Sequence, residues 1–536
     1  MADRFSPLSR CALTLVVAVA LVTAPLAGQE GTPPRTPGER LGTVHLSTSC
    51  APAVSPSFDR AVALLHSFEF AASIRGFEGV LAADPNCAMA WWGIALARWT
   101  NPMVPNVRPP AALERGLRAA EAGARVGVHA TDRERSYLSA VTLLYADAPR
   151  LDQRTRLRAY AAAMATLAAQ YPDDMEARIF YALALVGGAS PADKSYVDQR
   201  KAGAMLESLF AVHPDHPGLA HYIIHSYDVP ALAPRAEAAA RRYAEIAPSA
   251  AHALHMPSHT FTRVGMWRES VGTNLRSMEA ALREGSMAEA LHAADYAVYA
   301  DLQMRRDSEA GAILARLPEF AARFDPRAAT GAAPGSAGVF ALAAIPARYA
   351  LERRAWSEAA GLHVAASDFP YAEALTYFAR ALGAARLGDT IGARASVDSL
   401  ESIRTRLHAV GEGYWAEQVA IQRLGAAGWL AAAAGREHEG LAELREAAAR
   451  EDATEKAAVT PGPLIPAHEL LGDLLLSLHH PADALVEYRT ALTREPNRYH
   501  SVEGAAHAAA AAGDQEAAAS YGQQLEALAR RLPPRR

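Results

Sequence analysis

Apolar and small residues recur along this chain at helical spacing, and no convincing run of alternating β-branched residues interrupts them. The pattern predicts an all-α protein. Its unit is clearest from Leu470 to Pro496, where Leu471-Gly472, Ala484, Tyr488, Ala491 and Pro496 supply in turn large, small, small, aromatic, small and helix-breaking residues. Gly472 and Ala484 let two paired helices touch, Tyr488 fills the space toward the next pair, and Pro496 ends the second helix. Upstream, Phe77 and Pro85 close one such hairpin and Trp91 opens another, while Tyr171-Pro172, His213-Pro214 and Ala247-Pro248 mark further helix ends. Leu387-Gly388-Asp389 and Ala434-Gly435 read as tight turns inside later hairpins.

A chemical motif is laid over this pattern twice. His221-x3-His225 and His255-x3-His259 stand 34 residues apart, and so do the helix-ending Pro214 and Pro248. Spacing of i, i+4 stacks the two imidazoles of each pair on one helix face. Packed helices lie about 8–10 Å apart, so the two pairs are expected to converge on one point. Four histidines aimed at one volume predict a metal site.

At 536 residues the chain is too long for one compact core. Hydrophobic residues reach 51% while aromatics are 7%, because alanine makes up the difference, and alanine favours closely approaching helices. A repeat array is the consequence. Gly, Ser and Pro between Thr330 and Gly338, and the stretch Val459-Thr460-Pro461-Gly462-Pro463, predict its two breaks. The division is therefore a first array over 56–329 carrying the histidines, a linker at 330–339 and a second array over 340–536. Net charge of −5 gives no nucleic-acid footprint, so no nucleic-acid partner is expected. Lysine occurs only at Lys194, Lys201 and Lys456, which reads as compositional bias toward arginine.

Arg4 and Arg10 precede an apolar run from Cys11 to Val22, followed by small residues at Ala24, Ala27 and Gly28. Residues 1–28 thus predict a signal peptide, with export to the periplasm or the extracellular space and no transmembrane span in what remains. Residues 29–55 read as an arm or linker. Beyond Cys11 the cysteines are Cys50 and Cys87. In an oxidising compartment they predict a disulfide that pins the arm; the other reading is a buried Cys87 and a mobile Cys50.

Over nearly all its length the chain resembles the tetratricopeptide-repeat superfamily, whose period is 34 residues. More narrowly, Leu64-Leu65-His66-Ser67-Phe68, Asp84-Pro85-Asn86-Cys87-Ala88-Met89-Ala90-Trp91, His216-Pro217-Gly218-Leu219-Ala220-His221-Tyr222 and His252-Ala253-Leu254-His255-Met256-Pro257-Ser258-His259 resemble a group of exported bacterial tetratricopeptide proteins of unassigned function. The resemblance implies a right-handed solenoid of helical hairpins with a concave ligand groove, and it implies no reaction. It also implies that the second, fifth, ninth and twelfth positions of each first helix line that groove. His221, His225 and Asp228 take such places in one repeat, His252, His255 and His259 in the next, and His292, Asp295 and Tyr299 in a third. Trp92 and Trp99 take them after Pro85, and Arg348 is a further groove candidate as an anion anchor. Met256 falls off the groove face.

Imidazole and carboxylate without thiolate suit Zn, Fe, Mn or Cu, and eight candidate ligands leave room for two ions. Asp228 and Asp295 are ligands or orienters in this scheme. His66, His363, His408 and His468 read as ordinary helix histidines, and His213 and His216 as turn residues. The chain carries no Gly-rich phosphate loop, no HExxH helix and no Gly-x-Ser-x-Gly elbow, so sequence does not decide whether it is an enzyme. For a catalytic version, Tyr222, Tyr299 or a non-ligating Asp295 is the candidate acid or base. Two functions follow: an exported metal-binding solenoid acting on a ligand in its groove, or a metal-free scaffold capturing a protein or peptide there.

Overall fold

The computed structural model describes residues 38–104, 108–328 and 331–530, and the proposed signal peptide lies outside them. Among the described residues there are helices and no strands. The helices pair as antiparallel hairpins, from Ser55–His66 with Phe70–Ala83 to Tyr499–Ala511 with Gln515–Ala529, and each packs on its neighbours in the chain. This is an all-α solenoid of tetratricopeptide-like repeats. None of the described helices is long and apolar enough to cross a membrane.

The hairpin derived from Leu470 to Pro496 forms as Ala467–Ser477 and Pro481–Arg494. Tyr488 is fully buried and its hydroxyl donates to Asp473. A Cβ on Gly504, in the following hairpin, would lie 2.3 Å from the Tyr488 ring. One aromatic side chain thus sets the distance between two repeats, and the glycine opposite makes room for it.

The arm is docked on the solenoid along its described part. Leu41 and Leu46 are buried, Thr43 donates its N–H to Asp215, and Ser49 bonds the Glu134 carboxylate through both N–H and hydroxyl. Cys50 and Cys87 are joined, which fixes the arm to the N-cap of the Ala88–Trp99 helix. The segment 330–339 is only partly a linker: Gly335 opens the Gly335–Glu352 helix, which packs on the helices before and after it. The Pro- and Gly-containing stretch near residue 460 is a loop that folds back into the concave side. Its carbonyls at Thr460, Gly462 and Pro463 accept from Tyr296 and Arg348, and Trp267 and Tyr299 bond Asn497 and Glu495 just beyond the next hairpin. The inside of the solenoid is therefore filled at the level of the histidines.

Replacing Cys87 with serine should cost roughly 3–4 kcal/mol, the chain-entropy value for a loop of this size. Denaturant unfolding of wild type and variant, with and without reductant, measures it. Equal midpoints in all four samples would mean that the arm's other contacts suffice.

Candidate metal centre

Three consecutive repeats deliver the histidines. His221 and His225 come from the Pro217–Ser226 helix, His252 and His255 from Ala251–His255, His259 from Pro257–Arg263, and His292 from Met287–Gln303. Pro257 has no N–H to offer the preceding turn, so the helix breaks between His255 and His259. The i, i+4 pair is thereby bent, with its Nε2 atoms 3.1 Å apart. Met256 points away into the core.

The expected convergence of four histidines on one point is corrected by the structure. His252 joins His221 and His225 in one triad, and His292 joins His255 and His259 in a second; within each, three ligand nitrogens lie within 4.8 Å of one another. Each group draws its third ring from an adjoining helix, with centroids 5.1 Å apart between His221 and His252 and 4.4 Å between His255 and His292. The triads are neighbours, with ring centroids 6.0 Å apart between His225 and His259 and 5.9 Å between His252 and His255.

Hydrogen bonds fix the tautomers. His221 Nδ1 donates to the His66 carbonyl (2.6 Å), His252 Nδ1 to Glu289 (3.0 Å), His255 Nδ1 to Asn274 Oδ1 (2.7 Å) and His259 Nδ1 to Asp228 (2.9 Å). All four partners are acceptors, so each Nδ1 carries the proton and each Nε2 carries a lone pair. His221, His225 and His252 present Nε2 atoms, and His292 an Nδ1, that have no hydrogen-bond partner in the protein. His255 and His259 point two lone pairs at each other. A buried nitrogen left this way costs roughly 1–3 kcal/mol, and opposed lone pairs repel. A shared electron-pair acceptor resolves both, and outer hydrogen bonds of this kind are what orient metal-ligating histidines.

Burial disfavours the charged form of five of these rings. All six are at most 6% exposed. Loss of solvation, reinforced by neighbouring imidazoles, pushes His221, His225 and His255 well below the ordinary histidine range. Burial also lowers His259 to about 4 and His292 to about 3, against the pull of Asp228 and Glu289 respectively. Neutral imidazole is the metal-binding form. Phe68 closes the first triad, its ring 4.4 Å from His221 and within 5.7 Å of His225 and His252. Its φ of 57° is left-handed, a strained conformation for a bulky residue, held where it walls the histidines.

The remaining candidates occupy other positions. Asp228 is an orienter outside both triads: it holds His259 while accepting from Arg263 (2.9 Å) and Lys456 (3.2 Å). Burial would raise its pKa, but Lys456 and Arg263 outweigh that and keep it well below the usual carboxylate range. Asp295 is paired with Arg348 at 2.8 Å, both fully buried, so Arg348 is no solvated groove residue and Asp295 is not aimed at the imidazoles. Tyr299 donates to Glu495, and Tyr222 pairs with His66. Trp92 and Trp99 belong to the core, edge-on to Tyr137 and Phe180 and to Tyr145, because the ring needs more apolar cover than an open groove offers. His216 stands at the N-cap of the Pro217–Ser226 helix, as its place in a turn suggested, but it is buried, and it and His66 clamp Glu176 at 2.8 Å each. Both Glu176 oxygens are thereby used, so this third cluster is a hydrogen-bonded network around one carboxylate.

Sequence reasoning missed Glu289, Asn274, Phe68, Tyr296 and Lys456. Tyr296 is i+4 from His292 and sits 3.4 Å from His259 Nδ1, a spacing that was available to find it. Lys456, buried and lowered to about 8 by loss of solvation, stood out only as one of three lysines. Asn274 lies on the second helix of its hairpin and in no motif. A cleft of about 540 Å³ reaches the site, lined by Pro102, His225, Asp228, Tyr414, Lys456 and Ala458 among others.

No protein-family model and no curated protein matches the chain. Among solved structures, it is similar to a human IFIT1 dimer with PPP-AAAA, at 12% identity and TM-score 0.38 over 78% of this chain and 88% of that one. It is also similar to the APC/C hetero-tetramer Cut9-Hcn1, at 13% identity and TM-score 0.33 over 89% of this chain and 87% of that one. Likenesses so distant assign no ligand.

The histidine set predicts acid instability of the metal-free protein. The unfolded chain takes up these protons near pH 6.5, whereas folded His259 and His292 do so only near 4 and 3. Between those values the unfolded state binds more protons, so the contribution is intact above about pH 6.5 and is lost as pH falls toward 4. Melting temperature from pH 7.5 to 4 should drop, and less steeply in His292→Gln. A flat profile would contradict the burial of neutral rings.

Proposed function

We propose that this is an exported metalloprotein in which two histidine triads, side by side inside a tetratricopeptide-like solenoid, hold two transition-metal ions at the inner end of a cleft. The observation that carries the reading is the set of lone pairs. Four Nδ1 atoms are tied to acceptors, while the opposite nitrogens of His221 and His252 have no partner and those of His255 and His259 face each other. His221, His225 and His252 are the ligands of one ion, and His255, His259 and His292 those of the other. Glu289, Asn274, Asp228 and the His66 carbonyl orient them.

The ligand handled there is a small molecule entering past His225, with Lys456 as the ammonium donor on its path. Export rests on the charged and apolar pattern of the first residues, and the Cys50–Cys87 bond fits an oxidising compartment such as the periplasm or the outside of the cell.

A second reading, capture of a protein or peptide without metal, has its own observation. A chamber of about 90 Å³ on the concave side of the second array is walled by Phe340, Tyr371, Phe378 and Trp415. Trp415 Nε1, Gln418 Nε2, Gln422 Oε1 and Glu455 Oε2 lie in its lining without partners.

Elemental analysis of untagged protein should return close to two transition-metal ions per chain. Metal at about a hundred times its dissociation constant should add roughly 2.7 kcal/mol of stability, and chelation should remove it. His255→Ala should lose metal while keeping its helical circular dichroism. A melting temperature indifferent to chelator and to added metal would favour the peptide groove.

A further inference from the structure

We infer that the ions are copper in the cuprous state, one in each triad. The inference rests on the two-ion reading above and adds the identity and charge of the metal. It follows from what surrounds the imidazoles. Each triad is made of imidazole nitrogens alone; among the described residues no carboxylate or thiolate oxygen or sulfur joins the three nitrogens of either group. Sites that hold Mn or Fe as divalent ions add carboxylate or water oxygens, whereas imidazole suits Zn, Ni and Cu.

Charge separates these. The carboxylates that touch the rings are Asp228 on His259 and Glu289 on His252. Asp228 is already neutralised by Arg263 and Lys456. Asp295, the next carboxylate along the Met287–Gln303 helix, is spent on Arg348. Asp228, Glu289 and Glu455 are matched in number by Arg263, Lys456 and Lys194, so these groups bring no net negative charge to the rings. Two divalent ions would place four uncompensated positive charges in a site whose rings are almost entirely out of water. Burial of unpaired charge is the costliest thing a protein interior can be asked to do. Monovalent ions halve the charge, and because ion self-energy rises as its square, they reduce the penalty much further.

Geometry agrees. Three neutral nitrogens with no fourth side chain is a coordination number that cuprous ion accepts as complete, whereas zinc held by three side chains takes a water as its fourth ligand. An aromatic ring packs against each triad. Phe68 is packed on the first triad, and Tyr296 stands against the second, its ring 4.9 Å from His255 and 5.2 Å from His292. Its hydroxyl is turned to the Thr460 carbonyl at 2.9 Å. A trigonal, all-nitrogen pair packed against aromatic rings suits a soft, low-charge ion.

The test is an anaerobic titration of metal-free full-length protein against the cuprous complex of bicinchoninate, followed by the loss of the complex's colour. Two equivalents should be withdrawn per chain, and a tenfold excess of zinc ion should displace neither. His225→Ala and His292→Ala should each withdraw one equivalent, and the double variant none, with circular dichroism confirming that each still folds. If a variant fails to fold, His225→Gln or His292→Gln takes its place. X-ray absorption at the copper edge should show three nitrogen neighbours per copper. Retention of two zinc ions in preference to copper would overturn the cuprous assignment and leave the metal reading standing. A single equivalent of copper would overturn the one-ion-per-triad assignment. Retention of neither metal would remove both this inference and the reading beneath it.

Discussion

Six imidazoles have been taken out of water with their free nitrogens facing one another, and the surrounding structure is organised by that fact. A neutral histidine buried alone is ordinarily satisfied on both sides, one nitrogen donating and the other accepting. In four of the six the donating side is satisfied, by a backbone carbonyl, two carboxylates and an amide oxygen, while the accepting side is left facing inward. The protein has fixed the orientation of lone pairs that no protein donor reaches. Local irregularities follow from the same demand. Pro257 breaks a helix between His255 and His259 so that their Nε2 atoms meet, and Phe68 accepts a left-handed backbone so that its ring covers the first triad.

The second constraint is closure. Repeat arrays generally contact only their neighbours, which leaves the concave face open. In this chain the loop near residue 460 returns to that face. Lys456 bonds Asp228 across 228 positions of sequence, and Tyr296 and Arg348 bond the loop's carbonyls. Arg498 is wholly buried between Glu352, Glu469 and Tyr299. These long contacts convert a groove into an interior. They explain why positions that should line a ligand channel, Tyr299, Arg348 and Asp295 among them, have become parts of an ion-pair core.

The periodic part of this arrangement was legible in the sequence. Pro214 and Pro248 set the register, the 34-residue offset put His221 with His225 and His255 with His259 on aligned turns, and the groove positions added His252 and His292. What the spacing could not convey was the distance between helices, which depends on the side chains packed between them, and so it could not show that the rings would divide into two triads. Nor could it place Asn274, which acts from the other helix of its hairpin, or Lys456, which arrives from a loop that reads locally as a break. Trp92 and Trp99 show the same limit from the other side. Their positions match the groove pattern, but a large apolar ring is more stable packed against Tyr137, Phe180 and Tyr145 than exposed, and tertiary packing overrides position.

Closure also changes what a bound ion does to the molecule. In an open solenoid, a ligand on one repeat stabilises that repeat and its neighbours. Here Asp228 holds His259 of one triad and is itself held by Lys456 from the second array, so displacing either partner is felt by the other. Residues of three repeats supply the imidazoles, and Lys456 reaches them from the second array through Asp228. An ion held by these imidazoles would therefore also fix that contact, and the contact would in turn raise the affinity for the ion.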